Sequence, residues 1–186
     1  MRNAGLLSQI DSFVRSCIGS RRYAHSRSTA ELARDLCSRF GVDEDKGFIA
    51  GLAHDAAREL SAAEVIRLCG NGNPVSGTEV RDPALLHGRA AAVLLSFRTG
   101  FCDAETLDAI KDHVAGRPSM GPLSKIVFCA DLLEPGRDLP DRIRQKMLLL
   151  ELDAMTLSVL RSKIRYLRSI RKAVSPLSRA LLKELT

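Results

Sequence analysis

The chain of 186 residues contains no Trp, two Tyr and six Phe, so aromatic rings make up only 4% of it. With so few of the residues that favour strands, and so much Ala, Leu and Arg, helix is favoured over sheet. Five Cys are scattered with no Cys-x-x-Cys pair. That argues against a disulfide framework and against a structural zinc site, and leaves buried reduced thiols as the simpler reading. Long apolar runs are missing too: the longest, "AAAVLL", is far too short to cross a bilayer. Asp11 and Arg15 interrupt the opening "MRNAGLLSQIDSFVRSC", where a signal peptide needs an unbroken apolar stretch. The expectation is a cytoplasmic protein with no membrane segment. A glycine-rich phosphate loop is also absent, because "GNGNP" has no Lys after it and no strand before it and reads as a turn.

What is present is an ordinary globular balance, 45% apolar and 27% charged, on a length that suits one domain with a sizeable core. Apolar residues recur at helical steps almost throughout. Thr29, Leu32, Ala33, Leu36, Cys37 and Phe40 follow the i, i+3, i+4 pattern, and so do Ile49, Leu52, Ala53, Ala56 and Leu60. Further helical stretches run over Leu6–Ile18, Pro83–Phe97, Asp103–His113, Gly121–Leu133, Asp141–Val174 and Pro176–Leu182. Breaks fall at "FGVDED", "CGNGNPVSG", "FRTGF", "AGRPSMGP" and "EPGRDLP". No period-2 pattern of convincing length and no internal repeat interrupts this. The spacing predicts an all-α, single-domain bundle of about seven to nine helices.

The net charge of +6 is uneven, with twelve Lys/Arg against five Asp/Glu from Pro135 onward. "RSKIRYLRSIRK" sets Arg161, Arg165, Arg168 and Lys172 on one helical face and Leu160, Ile164 and Leu167 on another. Such a face can contact RNA, but a solvated surface over a packed helix is the favoured reading, since Tyr166 is the one ring near enough to stack on a base.

The segment "GLAHDAAREL" raises a sharper question. Between Gly47 and Ala57 the only charged side chain is Asp55, directly after His54. A carboxylate there is either at a surface or held by a strong cationic partner, because burying it bare is prohibitive. The chain has only four His, namely His25, His54, His87 and His113. Taken singly, each is more often a packed or surface imidazole than a ligand. Their placement changes that weighting: His25, His87 and His113 fall on inward stripes, as does Asp131 in "KIVFCADLLEP". His54 and Asp55 flank the opposite face of their helix beside Gly51, which leaves room for something to approach. Four imidazoles and two carboxylates from five helices suit mixed N/O coordination of transition metals. Asp55 can bridge two ions about 3.5–4 Å apart, a pair that polarises a phosphate and supplies bound hydroxide.

The order His25, His54-Asp55, His87, His113, Asp131 resembles the dinuclear HD-domain phosphohydrolases. The flanking segments "RRYAHS", "FIAGLAHDAARE", "PALLHG", "AIKDHVAGRPSM" and "KIVFCADLLEPGRD" are similar to the YqeK-type branch, the symmetrical bis(5'-nucleosyl)-tetraphosphatases of bacteria. The likeness covers a core of about residues 20–140 and continues loosely to Pro176, within a helical extension over about 141–186. It implies six metal ligands, His25, His54, Asp55, His87, His113 and Asp131, around two divalent ions. Iron is the usual occupant, with manganese, cobalt and magnesium as alternatives. It further implies that Asp55 and His54 are catalytic, that hydroxide on the ions attacks phosphorus, and that diadenosine tetraphosphate is split into two ADP. Arg117, Glu134 and Arg137 line the substrate site on the same analogy. Arg58 and Lys125 join Arg117 and Arg137 as candidates to clamp phosphate oxygens. Val114 stands where the family usually has Thr, and Arg58 where it often has Lys. The alternatives are hydrolysis of a simpler nucleoside mono-, di- or triphosphate, or a nucleotide- or RNA-binding regulatory role; homodimerisation is left open.

Overall fold

A computed structural model of the chain describes residues 2–70 and 75–186, with side chains from residue 5 onward. The turn expected at "GNGNP" falls on residues 70–74, of which 71–74 lie outside the described residues. Among the described residues there are eleven α-helices, one 3₁₀ turn and no strand. In order they are α1 (Arg2–Cys17), α2 (Ser20–Phe40), α3 (Glu44–Ala53), α4 (Ala62–Gly70) and α5 (Gly77–Arg81). The 3₁₀ turn (Pro83–Leu86) follows, then α6 (His87–Thr99), α7 (Ala104–Asp112), α8 (Pro122–Leu133), α9 (Asp141–Leu148), α10 (Leu152–Ser169) and α11 (Pro176–Glu184). None of them is long and apolar enough to cross a membrane.

Two helices form the middle of the bundle. In α3 every residue from Gly47 to Ala53 is buried, and in α8 all but Pro122, Lys125 and Leu132 are. A helix that is apolar all round has no face for water and must sit inside. The long α2 lies across both of them; α7 packs against α3 and α8, α6 against α7, and α10 against the far side of α8. Expected breaks coincide with helix ends where the backbone needs a left-handed residue, Gly41 at φ 67° after α2 and Gly100 at φ 71° after α6. Asp43 and Asp103 then cap α3 and α7, accepting from the amides of Lys46 (3.1 Å) and Thr106 (2.9 Å).

Several expected boundaries are corrected. The bundle has more helices than predicted because α4 and α5 are short, and each opens with Ser-x-x-Glu. Ser61 with Glu64 and Ser76 with Glu79 exchange side-chain and backbone hydrogen bonds in the manner of a capping box. The stretch from Pro83 begins as the 3₁₀ turn and becomes α-helical only at His87. The stretch Asp141–Val174 is two helices, because Arg39 on α2 reaches over and donates to the carbonyls of Leu148, Leu149 and Leu150 at the end of α9. Leu160 and Ile164 of α10 are buried while Arg161, Arg165 and Arg168 are exposed. These arginines line a groove of ≈ 390 Å³ with Ile164 and Leu182.

The helix expected to run through the His54-Asp55 doublet ends at Ala53, and residues 54–59 form consecutive turns. Their amides bond three residues back, Ala56 to Ala53 (3.0 Å) and Arg58 to Asp55 (2.9 Å). The doublet therefore sits at the tip of α3 and not on one of its faces. Gly51 does leave room, but for α2: a Cβ at that position would lie 2.7 Å from Ala30 Cα.

Candidate metal centre

His54, His87 and His113 share one local device. Each stands where a helical segment ends, after α3, after the 3₁₀ turn and after α7. The last carbonyls of a helix have no amide to accept from. Each ring uses one of them: Nδ1–H donates to the carbonyl three residues back, Gly51 for His54 (2.7 Å), Ala84 for His87 (2.5 Å) and Ile110 for His113 (2.7 Å). The hydrogen bond fixes the tautomer, so Nε2 is left bare and aimed away from its own helix. His25 reaches the same state differently. It sits within α2, and its Nδ1–H donates to Glu134 Oε1 at 3.1 Å.

Four unprotonated Nε2 atoms then meet in two pairs, His25 with His54 at 3.2 Å and His87 with His113 at 3.0 Å, with Arg137 Nη2 also donating to that of His25 at 3.2 Å. Two lone pairs facing at that distance repel, and neither ring can turn a proton inward without giving up its Nδ1 bond. A cation between them removes the conflict. Nitrogen ligands about 2.0–2.1 Å from a transition-metal ion and at right angles to one another stand about 2.9 Å apart, so both pairs fit.

Asp55, 3% exposed, lies between the pairs. Its Oδ2 faces His54 (3.7 Å) and His25 (4.0 Å), and its Oδ1 faces His87 (3.2 Å) and His113 (3.8 Å). One oxygen is thus turned to each pair, an arrangement suited to bridging. Asp131 Oδ1 adds a second carboxylate beside His25 (3.3 Å) and His54 (3.8 Å). Ligand atoms of His25, His54 and Asp131 lie within 4.8 Å of one another, and so do those of His54, Asp55 and His113. The donor set is the mixed N/O kind that borderline divalent ions accept.

The electrostatics are those of a buried anionic pair among imidazoles. Burial alone would raise the Asp55 carboxyl, but the fields of the His54, His87 and His113 rings around it hold it far below the usual carboxylate range. Burial likewise opposes ionisation of Asp131, and Lys163, His25, His54 and Arg137 overcome it. His54 and His113 are pushed down by burial, His113 further by its imidazole neighbours. His25, also subject to burial, ends above its ordinary value because the carboxylates of Asp131 and Glu134 beside it favour the charged ring.

The structure brings the six expected ligands together. Of the expected substrate contacts, Glu134 and Arg137 line a cleft of ≈ 500 Å³ beside His25, together with Arg21, Arg22 and Glu59. Glu134 is only 1% exposed, and besides orienting His25 it accepts from the Gly136 amide at 2.6 Å. Arg137 rests on Asp131 and donates through Nε to the Asp131 carbonyl at 2.8 Å. Arg58 is exposed on the turn after the doublet, Arg117 is bound to Asp112 (2.9 Å) and Lys125 to Asp153 (2.6 Å); none of the three lines the cleft.

Three participants were not anticipated. Arg22 Nη1 contacts Asp55 Oδ2 at 2.6 Å, and its place three residues before His25 in "RRYAHS" is the signal that pointed there. Arg144 on α9 donates to the carbonyl of Arg137 at 2.8 Å and so braces the "EPGR" turn. Lys163 on α10 contacts Asp131, and no local pattern marks it among the exposed basic residues around it.

The HD domain family model matches residues 22–136. A symmetrical bis(5'-nucleosyl)-tetraphosphatase of Bacillus subtilis (strain 168) is 32% identical over 134 residues, 71% of this chain and 72% of that protein. The enzyme of the same name from Staphylococcus aureus is 34% identical over 64% of this chain and 62% of its own length. Among solved structures, a predicted HD superfamily hydrolase involved in NAD metabolism from Clostridium acetobutylicum superposes with a TM-score of 0.90 at 30% identity. That match covers 96% of both chains.

Proposed function

Because the chain belongs to the HD-domain family, and within it to the symmetrical bis(5'-nucleosyl)-tetraphosphatases, we propose that it hydrolyses dinucleoside polyphosphates, splitting diadenosine tetraphosphate into two ADP. His25, His54, Asp131 and Asp55 would hold one divalent ion, and His87, His113 and Asp55 a second. Iron is the occupant we assign, and the cytoplasm the compartment. When bound, the ions polarise a phosphoryl oxygen and acidify a water. The observation that carries the reading is the pairing of bare Nε2 atoms across the two oxygens of one buried aspartate.

The rest of the work falls to the chain. A tetraphosphate carries dense negative charge, so its cleavage depends mostly on positioning and on electrostatic stabilisation. Arg21, Arg22 and Arg137 converge on the cleft beside His25 and supply guanidinium forks for the phosphate oxygens. Arg22 and Arg137 rest on the two carboxylates and are in place to move onto phosphate when substrate arrives. Glu134 keeps the His25 ring turned to the centre. These arginines form the phosphate clamp, and Arg58 and Arg117 stand outside it.

The test is a product analysis. Protein loaded anaerobically with ferrous iron or manganese is given diadenosine tetraphosphate, and nucleotides are resolved by ion exchange. ADP as the sole product supports the proposal. AMP with ATP means attack at another phosphorus, and turnover of only simpler nucleotides moves the substrate assignment to them. Asp55→Ala should lose metal and turnover together while its helix content is kept.

A further inference from the structure

Lys163 lies on α10, outside the residues matched by the HD family model. Its ammonium is nevertheless drawn into the metal centre. Nζ donates to Asp131 Oδ2 at 3.1 Å and to the His113 carbonyl at 2.9 Å, and it stands 4.1 Å from the centroid of the Phe128 ring. The side chain is 19% exposed, unlike Arg161 and Arg165 on either side of it. Withdrawing an ammonium from water and freezing its four-carbon stem is costly, so its partners must compensate. Both polar partners belong to ligand residues, one from each half of the centre.

The consequences for geometry differ at the two ends. At Asp131, Oδ1 faces His25 and His54 and carries the Arg137 guanidinium, while Oδ2 is taken by Lys163, so one carboxylate oxygen is turned to the centre and not two. At His113 the contact is with the backbone of the residue whose Nε2 pairs with His87. A single side chain thus ties the aspartate of the first group to the main chain of the second.

The geometry points to Lys163 as a positioning residue that restricts Asp131 to one-oxygen ligation and fixes the spacing of the two ion positions. This rests on the two-ion reading of the centre. Residues that hold ligands in this way typically change metal affinity by about 10–100-fold when replaced. Without the ammonium, Asp131 can rotate to present both oxygens, and α10 no longer fixes His113 relative to α8.

The experiment compares metal-free wild type, Lys163→Met and Lys163→Arg by calorimetric titration with Mn²⁺ and by electron paramagnetic resonance of the loaded proteins. Met keeps the apolar stem over Phe128 and removes the donor; Arg keeps donors. Wild type should take up two equivalents and give the spectrum of a spin-coupled pair. The Met variant should bind the pair about 10–100-fold more weakly, with altered or lost coupling, and the Arg variant should recover most of both. Unchanged affinity and unchanged coupling in the Met variant would overturn the assignment. Circular dichroism of the metal-free variants reports the fold, and if the Met variant is not helical, Lys163→Gln carries the same comparison. Wild type that takes up no pair of ions would defeat the two-ion reading itself, a different outcome from a variant that equals wild type.

Discussion

Glu134 offers no atom to the ions, yet it decides how His25 arrives there. Its carboxylate accepts from the ring Nδ1 at 3.1 Å and from the Gly136 amide at 2.6 Å while almost wholly buried. Replacing it by Gln keeps the shape and removes the charge that favours a proton on Nδ1. We expect Glu134→Gln to weaken metal binding by about 10–100-fold, read by titration of the metal-free protein; wild-type affinity would show that the tautomer is set by something else. At this scale the candidate ligands were legible in the sequence, because His is rare in the chain and His25, His87, His113 and Asp131 fall where their apolar neighbours turn them inward, whereas His54 and Asp55, expected on the opposite face of a helix, stand at its tip. The supporting residues were not. The resemblance gave Glu134 in "LLEPGR" as a substrate contact, and only the 109-residue separation closed by the fold shows it to be the partner of His25. Lys163 is hidden the same way, as a member of a basic run whose neighbours are solvated, whereas Arg22 is marked by its place in "RRYAHS", three residues before His25.

Helices α2 and α3 approach closely enough that glycine is required where they cross. A Cβ on Gly51 would stand 2.7 Å from Ala30 Cα and 2.9 Å from its amide nitrogen, both backbone atoms that cannot turn aside. Ala is better than Gly in a helix by about 1 kcal/mol, but forcing two backbones apart costs about 3 kcal/mol. Gly51→Ala should therefore lose about 2 kcal/mol in a denaturant titration, and because α2 carries His25 and α3 ends in His54, it should also weaken metal binding. An equally stable variant would mean that the helices part freely. Helix ends marked by Gly or Pro were readable, as at Gly41, Gly100 and Pro122, since those residues act through their own backbone. The end of α3 was not. The apolar stripe runs on to Ala56 and Leu60, and what stops the helix is a side chain: His54 Nδ1 donates to the Gly51 carbonyl, which in a continuing helix accepts from the amide of residue 55. The division between α9 and α10 is set by Arg39, more than a hundred positions away, and no local pattern records it.

Across the whole molecule the imidazoles make stability depend on pH. His54 and His113 have folded-state pKa values held below the unfolded value of about 6.5, so unfolding takes up protons at these rings. Their contribution is complete above that value and is lost as pH falls through it. His25, raised by Asp131 and Glu134, acts in the opposite sense. The two effects fall in different ranges, that of His25 above the unfolded value and that of His54 and His113 below it, so His25 does not offset the loss on acidification. The metal-free protein should melt at a lower temperature at pH 5.5 than at pH 7.5, measured by thermal denaturation after chelation; a melting temperature that rises on acidification would contradict the assigned shifts. The all-α class and the seating of the centre among several helices were evident from spacing alone, since period-3.6 stripes appear at each ligand-bearing segment. The distribution of those ligands along the chain carries a further consequence, in the order of events during synthesis. His25 and His54 leave the ribosome early, whereas Asp131 on α8 and Lys163 on α10 come late. At about 5–20 residues per second, on the order of ten seconds separate the first ligand from the last brace. A nascent chain therefore exposes imidazoles before the fold has gathered all six candidate ligands, so the complete set exists only once α8 has joined α2 and α3.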